Sequence, residues 1–153
     1  MKKFNFFILF IIFSGCNKLH PKLAVGWKQL KIHTFKIDVP SEWGVDTAQD
    51  QEDSFIGRIV GPNLDLSFDC SDMGYANHLS EDQGEIKQCN FHTDSDRNYR
   101  YITIWPKVTG RGMTGIYISS RNSPANFQMN GNNLSAKNQM LALQAFKTIE
   151  LKL

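Results

Sequence analysis

Asp94, Asp96 and Asn98 stand at alternate positions, the spacing of the first three oxygen ligands in a calcium-binding loop. Two carboxylates and a carboxamide would supply the hard donors such a cation requires. The rest of the loop does not follow. Tyr99 holds the sixth position, where glycine permits the turn, and Trp105 holds the twelfth, where a bidentate glutamate closes the site. The run reads as a solvated hairpin tip, and no metal site is expected. His78 forms a second polar grouping with Asp69 and Asp72, and His92 lies close to Asp94. An imidazole beside a carboxylate can hold zinc or act as a general base. His33, His78 and His92 have no histidine partner four residues away, so surface histidines are the simpler reading.

Nucleophilic chemistry finds less support. Ser119, Ser120 and Ser123 lack the flanking glycines of a Gly-x-Ser-x-Gly elbow. Gly110-Arg111-Gly112 is too short for a phosphate loop and is not followed by Lys-Ser or Lys-Thr. With no catalytic constellation assembled, no catalytic residue and no cofactor are assigned. Aromatic residues offer a different chemistry. Tyr99, Tyr101, Trp105 and Tyr117 fall on two neighbouring strand signals; if exposed, they form a face able to stack on sugars or anchor a protein partner. Filling the core is the commoner fate of such residues and the default reading.

Met1-Lys2-Lys3 supplies a positive start, Phe6 to Phe13 an unbroken apolar run, and Ser14-Gly15-Cys16 small residues at its end, the order of an export signal. As a helix, Phe4 to Phe13 rises only about 15 Å, half of the roughly 30 Å hydrocarbon core. Phe13-Ser14-Gly15-Cys16 resembles the lipobox of bacterial prolipoproteins, with Phe13 where leucine is usual. The resemblance implies diacylglycerol on the Cys16 thiol, removal of residues 1–15, and membrane attachment through two or three acyl chains, which anchor stably where one is marginal. Asn17 is not the aspartate associated with inner-membrane retention, so the outer membrane is the expected address within the cell envelope. Asp46-Thr47-Ala48 resembles a bacterial O-glycosylation acceptor tripeptide.

Export makes disulfides chemically accessible. Cys70 and Cys89 remain once Cys16 carries lipid; they either bridge or stay as thiols, and sequence separation does not choose between the two. Neither belongs to a Cys-x-x-Cys motif. The chain carries 17 basic and 15 acidic residues, and Lys2 and Lys3 account for the excess. The mature domain is near neutral, without the basic stripe that nucleic-acid binding requires.

The elements that must position these residues are mostly strands. Residues 16–25 read as a polar tether and 26–153 as one domain. Phe35, Ile37 and Val39 alternate with polar residues up to Pro40, with Trp43 beyond as a core plug. Phe55–Val60 and Leu64–Cys70 flank Gly61-Pro62-Asn63 and predict a hairpin. Ser71–Gly84 is polar, with at most a short helix over Ala76–Leu79. Ile86–Phe91 predicts a strand and His92–Asn98 a polar bend. Tyr99–Trp105 and Met113–Ser119 predict a second hairpin, and Phe127–Asn130 a short edge strand. Ser135 caps a helix whose inward face is Ala136, Met140, Leu143 and Phe146. Thr148–Leu153 closes as a strand with Ile149, Leu151 and Leu153 inward. The fold class is α+β, an antiparallel sheet with one C-terminal helix packed on it, with an all-β sandwich as the alternative.

Phe35-Lys36-Ile37-Asp38-Val39-Pro40-Ser41-Glu42-Trp43 resembles the first strand of PsbP-like domains, and a late helix leading into Thr148-Ile149-Glu150-Leu151 is similar too. That family implies an antiparallel sheet flanked by helices and no shared catalytic set. The function expected from the sequence is therefore a lipid-anchored envelope module that binds an envelope protein or glycan without catalysis. The competing expectation is an envelope hydrolase or metal-binding protein built on His78 or His92 with nearby aspartates.

Overall fold

A computed structural model describes residues 25–73 and 89–152. The export segment, Cys16, nearly all of the tether, His78, the region expected to hold a short helix and Leu153 lie outside the described residues.

Among the described residues ten strands and one helix follow in the order β1 (Trp27–Lys31), β2 (Phe35–Pro40), β3 (Gly44–Gln51), β4 (Ser54–Gly61), β5 (Leu64–Ser71), β6 (Cys89–Ser95), β7 (Tyr99–Pro106), β8 (Met113–Ser120), β9 (Asn126–Asn132), α1 (Ala136–Phe146) and β10 (Glu150–Leu151). They form two antiparallel sheets. The larger runs β3-β4-β5-β9-β8-β7-β6 and the smaller β1-β2-β10. The α+β expectation of an antiparallel sheet carrying a single C-terminal helix holds for the described residues, and the second sheet gives the molecule part of the character of a sandwich.

Alternation decides which face each strand buries. Leu64, Leu66, Phe68 and Cys70 of β5 point inward, between exposed Asp65 and Ser67 and half-buried Asp69. Across the ladder Phe68 meets Met129 and Cys70 meets Phe127, so β9 continues the same inner face. Over it lies β2, whose Phe35, Ile37 and Val39 are fully buried. The Phe35 ring sits 5.1 Å from Phe68 and 4.9 Å from Phe127, both edge-on, the arrangement that aromatic quadrupoles favour. Trp43 plugs one end of this core, as its position after Pro40 suggested. Its indole lies where a side chain at Gly61 would project, so that position admits only glycine.

The helix covers the inner face beside β2 and touches β8. Its buried stripe is Asn138, Ala142, Ala145 and Phe146, whereas Met140 is 54% exposed and Ala136 is exposed. Phe146 is buried and Leu143 half-buried, as expected, whereas Ala136 and Met140 are not on the inward face; the cause of the rotation is polar. Asn138 Nδ2 donates to the carbonyls of Pro62 and Asn63, at 3.0 and 2.8 Å, which pins the first turn over the β4–β5 turn. The small side chains of Ala142 and Ala145 then permit close approach. Ser135 caps the helix as expected, accepting from Asn138 N–H at 3.3 Å.

Three further expectations are corrected, and two strands have no counterpart among the expected elements. β1 and β3 carry no clear periodicity, yet both pair as strands. β9 is not an edge strand but lies between β5 and β8. β6 continues through His92 to Ser95 instead of bending there. The closing strand is only Glu150–Leu151, paired with β2.

Candidate functional site

The second layer is narrower than the first. Seven strands at about 4.8 Å span roughly 29 Å, whereas three strands add only about 10 Å and a helix about another 10 Å. The inner face therefore outruns its cover, and at the β6–β7 end a cleft of about 580 Å³ opens between sheet and helix. Tyr101, Thr103 and Trp105 of β7 form its floor with Ile116 of β8. Leu143, Phe146 and Lys147 at the end of α1, with Ile149, form the opposite wall, and His92, Asp94, Ser95 and Asp96 form the lip.

Register explains this grouping. His92 lies opposite Thr103, and Asp94 opposite Tyr101, so the imidazole and the carboxylate stand on the same face of the sheet as the β7 aromatics. Tyr99 shares that face, its ring edge-on to Tyr101 at 6.3 Å. Tyr117 does not. It pairs with Ile102, points to the outward face and is buried with Ile102 and Ile104. The expected four-residue aromatic surface is thus corrected to Tyr99, Tyr101 and Trp105, all half-buried.

Asp96 organises the lip. Its Oδ1 accepts from the backbone N–H groups of Asn98 and Tyr99, at 2.7 and 2.8 Å, closing the β6–β7 turn from its own side chain. Its Oδ2 accepts from the Tyr101 hydroxyl at 2.8 Å. Burial, reinforced by this bond and the Asp96 charge, pushes the Tyr101 phenol well above the ordinary tyrosine range. Tyr101 stays neutral and fixed in orientation. Asp94 Oδ1 accepts from Ser95 N–H at 2.7 Å. The alternate Asp94-x-Asp96-x-Asn98 spacing thus serves a hairpin turn, and no group of three metal-ligating side chains occurs among the described residues.

Cys70 and Cys89 do not form a disulfide in this fold. One lies on β5 and the other on β6, with β9, β8 and β7 between them. Four strand spacings place them roughly 19 Å apart, against a Cα separation of at most about 7 Å for a bridge. Burial pushes the Cys70 thiol up to about 11, which keeps it protonated and unreactive near neutrality. Thr47, of the glycosylation-like tripeptide, is exposed on β3 just past a bulge between Val45 and Thr47. Asp69 and Asp72 stand apart from His92: Asp69 is on the outward face of β5, and burial raises its pKa.

What the cleft can do follows from its lining. Aromatic faces supply stacking and apolar contact; one imidazole, two carboxylates and an ammonium supply hydrogen bonds and charge. Lys147 carries no signal in the sequence, and there Leu143 and Phe146 look like core residues. Their role depends on where the helix ends over the sheet, which no local pattern records. No protein-family model matches the sequence, and no curated protein does.

Proposed function

We propose that this chain is a lipid-anchored lipoprotein of the cell envelope, residing at the outer membrane, whose domain binds another envelope component in the cleft between α1 and β6–β8. The anchor is the reading of Phe13-Ser14-Gly15-Cys16. The binding role rests chiefly on one observation: Tyr101 and Trp105 form the floor of an open cleft whose lip is polar. Large aromatics held half-exposed on a rigid strand lose little entropy when a partner covers them. Lipid labelling tests the anchor: radioactive palmitate enters the wild-type chain and not Cys16→Ser. Retention in detergent-solubilised envelopes tests the cleft: Trp105→Ala loses a partner that the wild-type domain holds. Label in the serine variant removes the anchor reading, and undiminished retention by Trp105→Ala removes the cleft.

A hydrolytic reading keeps one specific support, because His92 and Asp94 share the face that lines this cleft. Hydrolysis also needs a nucleophile or activated water and a group orienting the imidazole. Among the described residues no hydrogen bond to the His92 ring supplies that orientation. Turnover of a generic ester or glycoside that vanishes in His92→Ala would favour the enzyme over the binding module.

A further inference from the structure

We infer that the component bound at this cleft is an extended polypeptide segment that adds to β6 as an eighth strand, with lysine or arginine side chains turned toward the cleft. This rests on the binding role proposed above and names its partner. Among the described residues, the main chain of Asn90–Ser95 is hydrogen-bonded only to β7. Alternate N–H and C=O groups of an antiparallel strand point away from its neighbour, so the other side is a template for a further strand.

The sheet edges of the domain are not equal. β1 carries Lys28 and Lys31, and β10 is two residues long. β3 carries a bulge after Val45, with Asp46 and Asp50 along its length. Each feature discourages pairing with another chain. β6 has seven residues in unbroken register with β7 and contains no lysine, proline or bulge. Asn90 to Ser95 are all exposed, and Phe91 is 50% exposed on the outward face opposite buried Ile104.

Side-chain chemistry selects the occupant. On the cleft side an added strand lies beside Asp94, with Asp96 at the turn, so its residues there meet carboxylates. On the outward side it lies beside Phe91, where an apolar residue is covered. A strand alternating basic and apolar residues meets both demands. A second copy does not, because β6 contains no lysine or arginine to neutralise Asp94.

The test uses hydrogen exchange on the acylated full chain in detergent. The probes are a capped peptide alternating valine and lysine and matched in length to β6, the same peptide with glutamate for lysine, the lysine peptide N-methylated at alternate amides, and a chitin oligosaccharide. The lysine peptide is expected to slow exchange across residues 89–95 by about tenfold or more, and N-methylation to weaken binding by about tenfold. Asp94→Lys, at an exposed site, is expected to reverse the preference toward the glutamate peptide. Unchanged exchange in β6 at millimolar lysine peptide, or equal binding of the N-methylated form, overturns strand addition. Protection by the oligosaccharide at Trp105, with none at β6 from any peptide, overturns it while leaving the cleft's binding role standing. Silence from every probe, together with undiminished envelope retention by Trp105→Ala, overturns both.

Discussion

The two halves of the inner face are built from one sheet with one pleat, yet they end in opposite conditions. Across β5 and β9, Phe68, Phe127 and Met129 are 3%, 1% and 0% exposed beneath β2. Across β7 and β6, residues of the same parity (Tyr101, Thr103, Trp105, His92, Asp94) are half-buried or exposed. The strands differ little in regularity; what differs is the cover. A three-stranded layer and an eleven-residue helix do not reach across seven strands. The lesson is that an open cleft here needs no special loop. It is the unpaired remainder of a mismatch between two layers, and its chemistry is whatever the sequence places on the exposed half of a shared face.

Substitutions that disturb one half and spare the other test this contrast. The largest effect is expected from Phe127→Ala, which empties a fully packed aromatic site and costs about 3–5 kcal/mol. Trp105→Ala, on the same sheet face, costs less than half of that. Urea midpoints at constant slope measure both, and equal losses would erase the distinction. Next comes Asn138→Ala, which leaves the Pro62 and Asn63 carbonyls without the donors that fix α1 over the closed half; about 1–3 kcal/mol is expected. Ser135→Ala removes the helix cap and costs about 1 kcal/mol, readable in the thermal midpoint.

Asp69→Asn sharpens the contrast in pH. Burial raises the Asp69 pKa above its ordinary 3.8, and its Oδ1 is buried without a hydrogen-bond partner. Below that value the carboxyl is protonated in both states and carries no penalty. As pH rises through it the unfolded chain releases its proton first, so the folded state loses stability. The asparagine variant is therefore slightly more stable than wild type at pH 7 and no different near pH 3, by denaturant titration at the two pH values. The smallest effect is none. Reductant leaves the unfolding midpoint unchanged, because Cys70 and Cys89 are thiols on separated strands.

Much of the closed half was legible in the sequence, and much of the open half was not. Leu64–Cys70 and Phe35–Val39 alternate because one face of each is buried, and burial is what writes a period of two into a strand. β3 and β6 are exposed along nearly their whole length. Selection for a core leaves no mark on such strands, so His92–Ser95 read as a bend. The faces of Tyr99, Tyr101 and Trp105 follow from alternation within β7, whereas that of Tyr117 depends on the register between β7 and β8. A shift of one residue exchanges the two faces, and a six-residue connection does not declare its register. β9 reads as an edge because Asn126, Gln128, Asn130 and Asn132 line its outward side. Strand order is set by contacts between distant segments. The cleft itself is two layers removed from any local pattern.

The central claim is that ligand meets the open half of the inner face. A photoreactive amino acid placed in turn at Trp105, in the cleft, and at Ser67, exposed on the outward face of β5, tests it in intact envelopes. The account predicts a discrete cross-linked species from position 105 and none from position 67. Cross-linking from position 67 alone, or equally from both, would contradict it.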